Sequence, residues 1–295
     1  MKTMIRNITN ILFVALMFAL ISACGEDGLN ADSVIKESQR EENDFDRWII
    51  QKYVTPYNID FKYRMEDIES DRDYNLVPAN YTKSVQMAKL VDFLCLQVYD
   101  EVTGSKEFIR SYFPKMIHLV GSPAYRNNNT MVLGTAEGGL KITLYNVNAV
   151  KVTDVEELNR FYFKTIHHEF AHILHQTIPY TTDFKEITGS SYVKDSWNTT
   201  YSSENESLPK GFISPYASSA PDEDFVELIS IYVTSSPEVW AEKMKKAGEG
   251  LGLVTAKFEI VYNYMLNSWN IDLNKLRELV LRNESKIGDL DLDKL

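Results

Sequence analysis

His168, Glu169 and His172 stand in the order H-E-x-x-H within the stretch 165–175, and that spacing describes half of a zinc site. Residues four apart on a helix share one face, so both imidazoles can aim a nitrogen at a single tetrahedral ion. Glu169 lies about 100° round the helix. There it is clear of ligation yet close enough to take a proton from water activated at the site. Two histidines need a third protein ligand and an open position for water. Pro221 opens a second helical pattern in which Glu223 and Glu227 share a face, while Phe225, Leu228, Ile229 and Tyr232 turn towards a core. Glu223 meets the need for the third ligand. Glu227 reads as the group that orients a histidine, with ligation by Glu227 left open. Asp222 and Asp224 fit acids that favour a helix N-terminus.

Two further histidines need separate readings. His167 is rotated about 100° from His168 and reads as packed or hydrogen-bonded. His175 shares the zinc face but lies about 10.5 Å along the axis from His168, too far for both to hold one ion at about 2.1 Å. Spacing alone leaves a His172–His175 pair open, although it would give Glu169 no role.

The element carrying the motif is well specified. Thr153-Asp154-Val155-Glu156 reads as a capping box, and no Pro or Gly follows until Pro179, which predicts a helix from about Asp154 to about Thr177. Ile166, Phe170, Ile173 and Thr177 cluster on one side of it. Phe161, Thr165, His168, His172 and His175 lie on the other, facing a cleft.

Before this helix the chain is mixed: a short helix around Trp48, a strand near Tyr57 to Tyr63, a helix from about Thr82 to Glu101 and a strand over Met116 to Val120. Met131 to Gly134 and Leu140 to Val147 flank a Gly-bearing turn and read as a hairpin. Leu140, Ile142 and Leu144 alternate with Lys141, Thr143 and Tyr145, as a one-sided or edge strand requires. After the motif helix, Thr181 to Pro215 is a long polar stretch read as a substrate-facing loop. Helices are expected from Pro237 to near Gly248, from Leu253 to Trp269 and from Leu273 to Lys286.

The N-terminus carries its own signals. Basic Lys2 and Arg6, an apolar run from Ile11 to Leu20 and small residues before Cys24 read as a secretory signal. Leu20-Ile21-Ser22-Ala23-Cys24 resembles a bacterial lipobox, which implies cleavage before Cys24 and a lipid anchor on its thiol. Removing residues 1–23 deletes two positive charges and takes the formal net charge from −11 to −13. So acidic a chain, without a basic run, speaks against nucleic acid as a partner. Cys95 would be the one thiol left, reading as a buried apolar residue, so no internal disulfide is available. The expected organisation is a signal peptide at 1–23, a flexible tether at 24–44 and one catalytic domain at 45–295, divided into an α/β half (45–150) and a helical half with the metal site (151–295).

H-E-x-x-H at 168–172, followed by Tyr216-Ala217 and Glu223-Asp224-Phe225-Val226-Glu227, resembles the gluzincin pattern of lethal-factor-type metallopeptidases. That resemblance implies a transition-state role for Tyr216, by motif position. With the lipobox, the whole also resembles the substrate-import-associated zinc metallohydrolase lipoproteins of Bacteroidetes. It implies an exported lipoprotein at the outer membrane, on the periplasmic or the surface face, beside a nutrient-import system. A metzincin is disfavoured, because Ile178 stands where its third histidine would be and His175 where its glycine would be. The expectation is an α+β, zincin-like fold: a small twisted mixed sheet whose edge strand near Leu140 to Val147 lies over the cleft, the H-E-x-x-H helix, and a mainly helical C-terminal half. Its activity would be zinc-dependent hydrolysis of a peptide or protein substrate. The alternatives are a surface substrate-binding lipoprotein with a non-catalytic metal site, or a zinc hydrolase acting on another bond.

Overall fold

A cap that closes on itself opens the first described helix. The Asn43 side chain accepts from the Asp46 amide at 2.8 Å while the Asp46 carboxylate accepts from the Asn43 amide at 3.0 Å, opening the helix Asp44–Ile49. Arg64 then grips the Asp46 carboxylate with two hydrogen bonds, at 2.7 and 2.8 Å. The computed structural model describes residues 41–295 apart from 67, 72, 126–130, 133 and 138–139, with only the backbone over 134–137. The signal peptide, Cys24 and nearly all of the tether lie outside these residues, as do the two glycines of the expected hairpin turn. Glu42–Leu295 forms one compact unit. Among the described residues no helix is long and apolar enough to cross a membrane.

Four short strands make the main sheet: β1 (Asp60–Lys62), β2 (Met116–Leu119), β5 (Gly134–Glu137) and β6 (Lys141–Leu144), in the order β1-β2-β6-β5. β3 (Ala124–Tyr125) and β4 (Met131–Val132) form a separate antiparallel pair. β1, β2 and β6 run parallel, and β5 returns antiparallel to β6, so the sheet is mixed. Phe61, Ile117 and Ile142 stand in register and are buried in the main core.

The hairpin sits differently from the sequence reading. Its first strand is Gly134–Glu137, a stretch the pattern had assigned mainly to the turn, and Leu140 falls outside the second strand and is exposed. The expectation that Leu140 to Val147 supplies the edge strand is corrected as well. β6 is internal, and the edge beside the motif helix is β5. The alternation of β6 misled because its polar side is also buried: Thr143 is enclosed, and the Lys141 amine reaches the Glu69 carbonyl at 3.0 Å and its carboxylate at 3.3 Å.

The motif helix extends continuously from Val155 to Thr177, with a π-turn at Asn159–Phe163 between the α-helical segments Val155–Leu158 and Lys164–Thr177. Its cap is Asp154, which accepts from the Glu157 amide at 3.0 Å; the capping box on Thr153 is off by one residue. A carboxylate at this position also meets the positive end of the helix dipole. Ile166, Phe170 and Leu174 are buried, Ile173 is half-buried, and Thr177 at the helix end is exposed. Against this helix packs a second one, Pro221–Val233, whose Phe225, Leu228, Ile229 and Tyr232 are buried as the pattern required.

Three further helices, Pro237–Ala247, Leu251–Trp269 and Leu273–Glu284, close the C-terminal half. Ser236 caps the first, left-handed Asn270 ends the second, and Asp272 caps the third. The 181–215 stretch is a run of short helical turns, not an open loop. It is pinned by Tyr180 stacked on Phe225 at 4.1 Å and by the Val193 amide donating to the Ser218 carbonyl at 2.8 Å.

Candidate metal centre

The two packed helices bring together the three residues that the sequence singled out as ligands. His168 Nε2 lies 3.1 Å from Glu223 Oε2 and His172 Nε2 lies 3.3 Å from the same oxygen. All three ligand atoms fall within 4.8 Å of one another. The four-residue spacing on one helix supplies the imidazoles, and the first turn of the neighbouring helix supplies the carboxylate. His168 is buried, whereas His172 and Glu223 are half-buried.

What surrounds the imidazoles determines which nitrogen is available. His168 Nδ1 lies 2.9 Å from Glu227 Oε1, so the carboxylate takes its N–H and leaves Nε2 with a lone pair. Glu227, almost fully buried, also accepts from Ser214 Oγ at 2.6 Å and from Lys164 Nζ at 2.9 Å. It therefore orients a histidine, as its position on the helix suggested. Ser214 in turn accepts from the Ala217 amide at 3.1 Å, which ties the turn bearing Tyr216 to the same carboxylate.

Electrostatics reflects the crowding of anions and imidazoles. Burial alone would lower the pKa of His168, but hydrogen bonds to Glu223 and Glu227 outweigh it and push the group up to about 9. Burial works against ionised Glu223 too, yet the two imidazoles hold its carboxyl far below the usual range. Glu227 is brought down to about 2 because Lys164, His168 and Ser214 together overcome burial. Two imidazole nitrogens and a carboxylate oxygen within 4.8 Å of one another form a set that could hold a metal ion, with the imidazoles giving up their protons on the side that faces it. Two nitrogens and one oxygen from protein make a donor set suited to zinc.

Glu169 is half-buried on the motif helix, outside the converging set, and its charge acts on His168. The Tyr216 ring stands 5.9 Å from the His168 ring, with Trp197 edge-on to it at 5.2 Å. His167 points away from this centre into the core, where its Nδ1 lies 3.0 Å from the Tyr99 hydroxyl; burial lowers its pKa to about 4. His175 is not in the converging set. Its Nε2 lies 2.9 Å from His172 Nδ1, whereas the His172 atom beside Glu223 is Nε2.

One acid differs from the sequence reading. Asp224 is fully buried and paired with equally buried Lys257, while the Tyr192 hydroxyl donates to it at 2.9 Å. It does stand in the first turn of Pro221–Val233, as the sequence suggested, but within a buried ion pair that the sequence did not show. Lys164, Ser214, Trp197 and Lys257 were all missed, since each meets its partner across long stretches of chain and carries no local pattern.

The family comparison agrees with this centre. A family model described as "Putative zinc-binding metallo-peptidase" matches residues 37–274. A crystal structure under the same description, from Bacteroides caccae ATCC 43185, is 45% identical, with a TM-score of 0.76, covering 89% of this chain and 99% of its own. No curated protein matches. A match over most of the chain by sequence model and by structure, around a centre built from H-E-x-x-H and a helix-borne glutamate, makes the chain a member of this zinc metallopeptidase family.

Proposed function

We propose that the chain is a zinc-dependent peptidase with Glu169 as general base, exported and anchored through lipidated Cys24. The observation that carries the reading is the convergence of His168, His172 and Glu223 on one point, with a carboxylate, Glu169, placed between the two histidines in sequence but outside the set. His168, His172 and Glu223 would hold the ion. Bound there, zinc supplies Lewis acidity that polarises a carbonyl and makes water a better nucleophile.

The chain's own groups perform the proton transfers. Glu169 accepts the proton of the attacking water and later delivers it to the leaving amine. The Tyr216 hydroxyl donates a hydrogen bond to the oxyanion that develops on the scissile carbonyl. Trp197 packs on the Tyr216 ring, and the bond from the Ala217 amide to Ser214 holds the backbone beside it. This packing and hydrogen bonding of the turn support the assignment of Tyr216 as oxyanion donor. The lipobox at Leu20 to Cys24 supports the anchored location, and the acidic surface suits a partner other than nucleic acid. On the same resemblance, a neighbouring nutrient-import system is the proposed setting.

Incubating wild type and Glu169→Gln with a diverse peptide library, read by mass spectrometry, tests the reading. Cleavage by wild type, reduced about 100- to 10,000-fold in the variant, is expected. Equal cleavage by both would assign the activity to another base. No cleavage with selective retention of peptides by both forms would make a binding lipoprotein the better account.

A further inference from the structure

We propose that His175 is a positioning residue that fixes the ring and tautomer of His172, so that a neutral imidazole, not a carboxylate, stands behind the second zinc ligand. The proposal rests on the zinc-site reading above. His172 can offer Nε2 to an ion only if its single ring proton sits on Nδ1. That N–H needs an acceptor, and His175 Nε2 is 2.9 Å away. With Nε2 accepting, the proton of the His175 ring is placed on Nδ1.

The His175 ring is itself held. It is 8% exposed and lies edge-on to Tyr180 at 5.6 Å and to Phe225 at 6.2 Å. Tyr180 and Phe225 are stacked on each other at 4.1 Å with planes 7° apart, and Phe225 follows the ligand Glu223 by two residues. The aromatic clamp therefore joins the second histidine to the carboxylate helix by packing, while the hydrogen bond stays within a single helix.

The two ligands are consequently supported in different ways. His168 is oriented by Glu227, a buried anion on the other helix, and its alignment requires the two helices to be docked. His172 and His175 are three residues apart, so their contact forms with the motif helix itself. The motif helix thus carries the His172–His175 hydrogen bond, and docking of Pro221–Val233 adds the Phe225 packing and brings Glu223 into the set.

Zinc dissociation constants from competition with a chromophoric chelator, with melting of the metal-free proteins, test this on wild type, His175→Phe and His175→Gln. Phe keeps an aromatic ring against Tyr180 and Phe225 but accepts no hydrogen bond; Gln restores an acceptor. His175→Phe should bind zinc about 10- to 100-fold more weakly, without a change in metal-free melting, and His175→Gln should recover most of the loss. Undiminished affinity in His175→Phe would overturn the proposal, and complete loss of zinc would make His175 a ligand instead. A wild type that binds no zinc would overturn the site reading, and this proposal with it. Long-range 1H–15N spectra of zinc-loaded, histidine-labelled wild type give a second check independent of any variant. His172 protonated on Nδ1 and His175 unprotonated on Nε2 are expected; a proton on His175 Nε2 contradicts the assignment.

Discussion

Glu227 shows how much of a metal centre depends on a residue that does not touch the ion. Its carboxylate holds His168 Nδ1, Lys164 Nζ and Ser214 Oγ together in a nearly water-free position. Glu227→Ala should weaken zinc binding about 10- to 100-fold, measured by chelator competition. Glu227→Gln, which keeps an acceptor, should lose less. The three candidate ligands that the structure brings together were legible because helical spacing is a local code: four residues separate His168 from His172, and Glu223 falls in the first turn of a helix announced by Pro221. Glu227 was legible by the same code, as a neighbour of Glu223 on one face. Ser214 and Lys164 were not, because only the docked helices bring them to Glu227, and a periodicity within one segment contains nothing about its partner. Tyr216 was placed by resemblance, and the structure sets its ring beside His168.

At the scale of elements, buried charge marks where helices are locked together. Lys257, from Leu251–Trp269, donates to Asp224 and to the Gly211 carbonyl, and stands 4.3 Å from the centre of the Phe212 ring. Lys257→Met would leave Asp224 ionisable, buried and unpaired one residue from a ligand. Denaturant unfolding should show a loss of about 3–5 kcal/mol. Glu284 tells the opposite story at the end of the last long helix. Burial raises its pKa to about 7, although Asn159, the residue that opens the π-turn of the motif helix, donates to it at 2.8 Å. Raised in the folded state above its ordinary 4.5, the group favours folding fully below that value, and the contribution disappears as pH rises towards 7. Glu284→Gln, which keeps the acceptor for Asn159, should therefore stabilise the protein at pH 8 by on the order of 2–3 kcal/mol, with no gain near pH 4. Thermal melts of both proteins at the two pH values would show it. Helix ends in the C-terminal half matched the pattern closely because Ser236, Asp272 and the stop at Asn270 are strong local signals. The hairpin did not, since β6 buries polar residues on a face where alternation normally signals solvent.

The whole molecule joins a metal centre to an expected membrane address. Cys24 should take up a fatty-acid probe in cells, and Cys24→Ala should not; equal labelling of the two would remove the anchor. Cys95 is a free, buried thiol whose pKa burial pushes up, so the fold is held by its core and its helix pairs rather than by a staple. Around that core, residues 42–295 place two helices side by side so that their polar faces meet at His168, His172 and Glu223. The most direct test of this account is the metal itself. Elemental analysis with zinc K-edge absorption on the purified full chain should find about one zinc per chain, bound by nitrogen and oxygen with two imidazoles and no sulfur. Zinc should be lost in His172→Ala. Wild type without zinc, a sulfur ligand, or undiminished zinc in His172→Ala would contradict it.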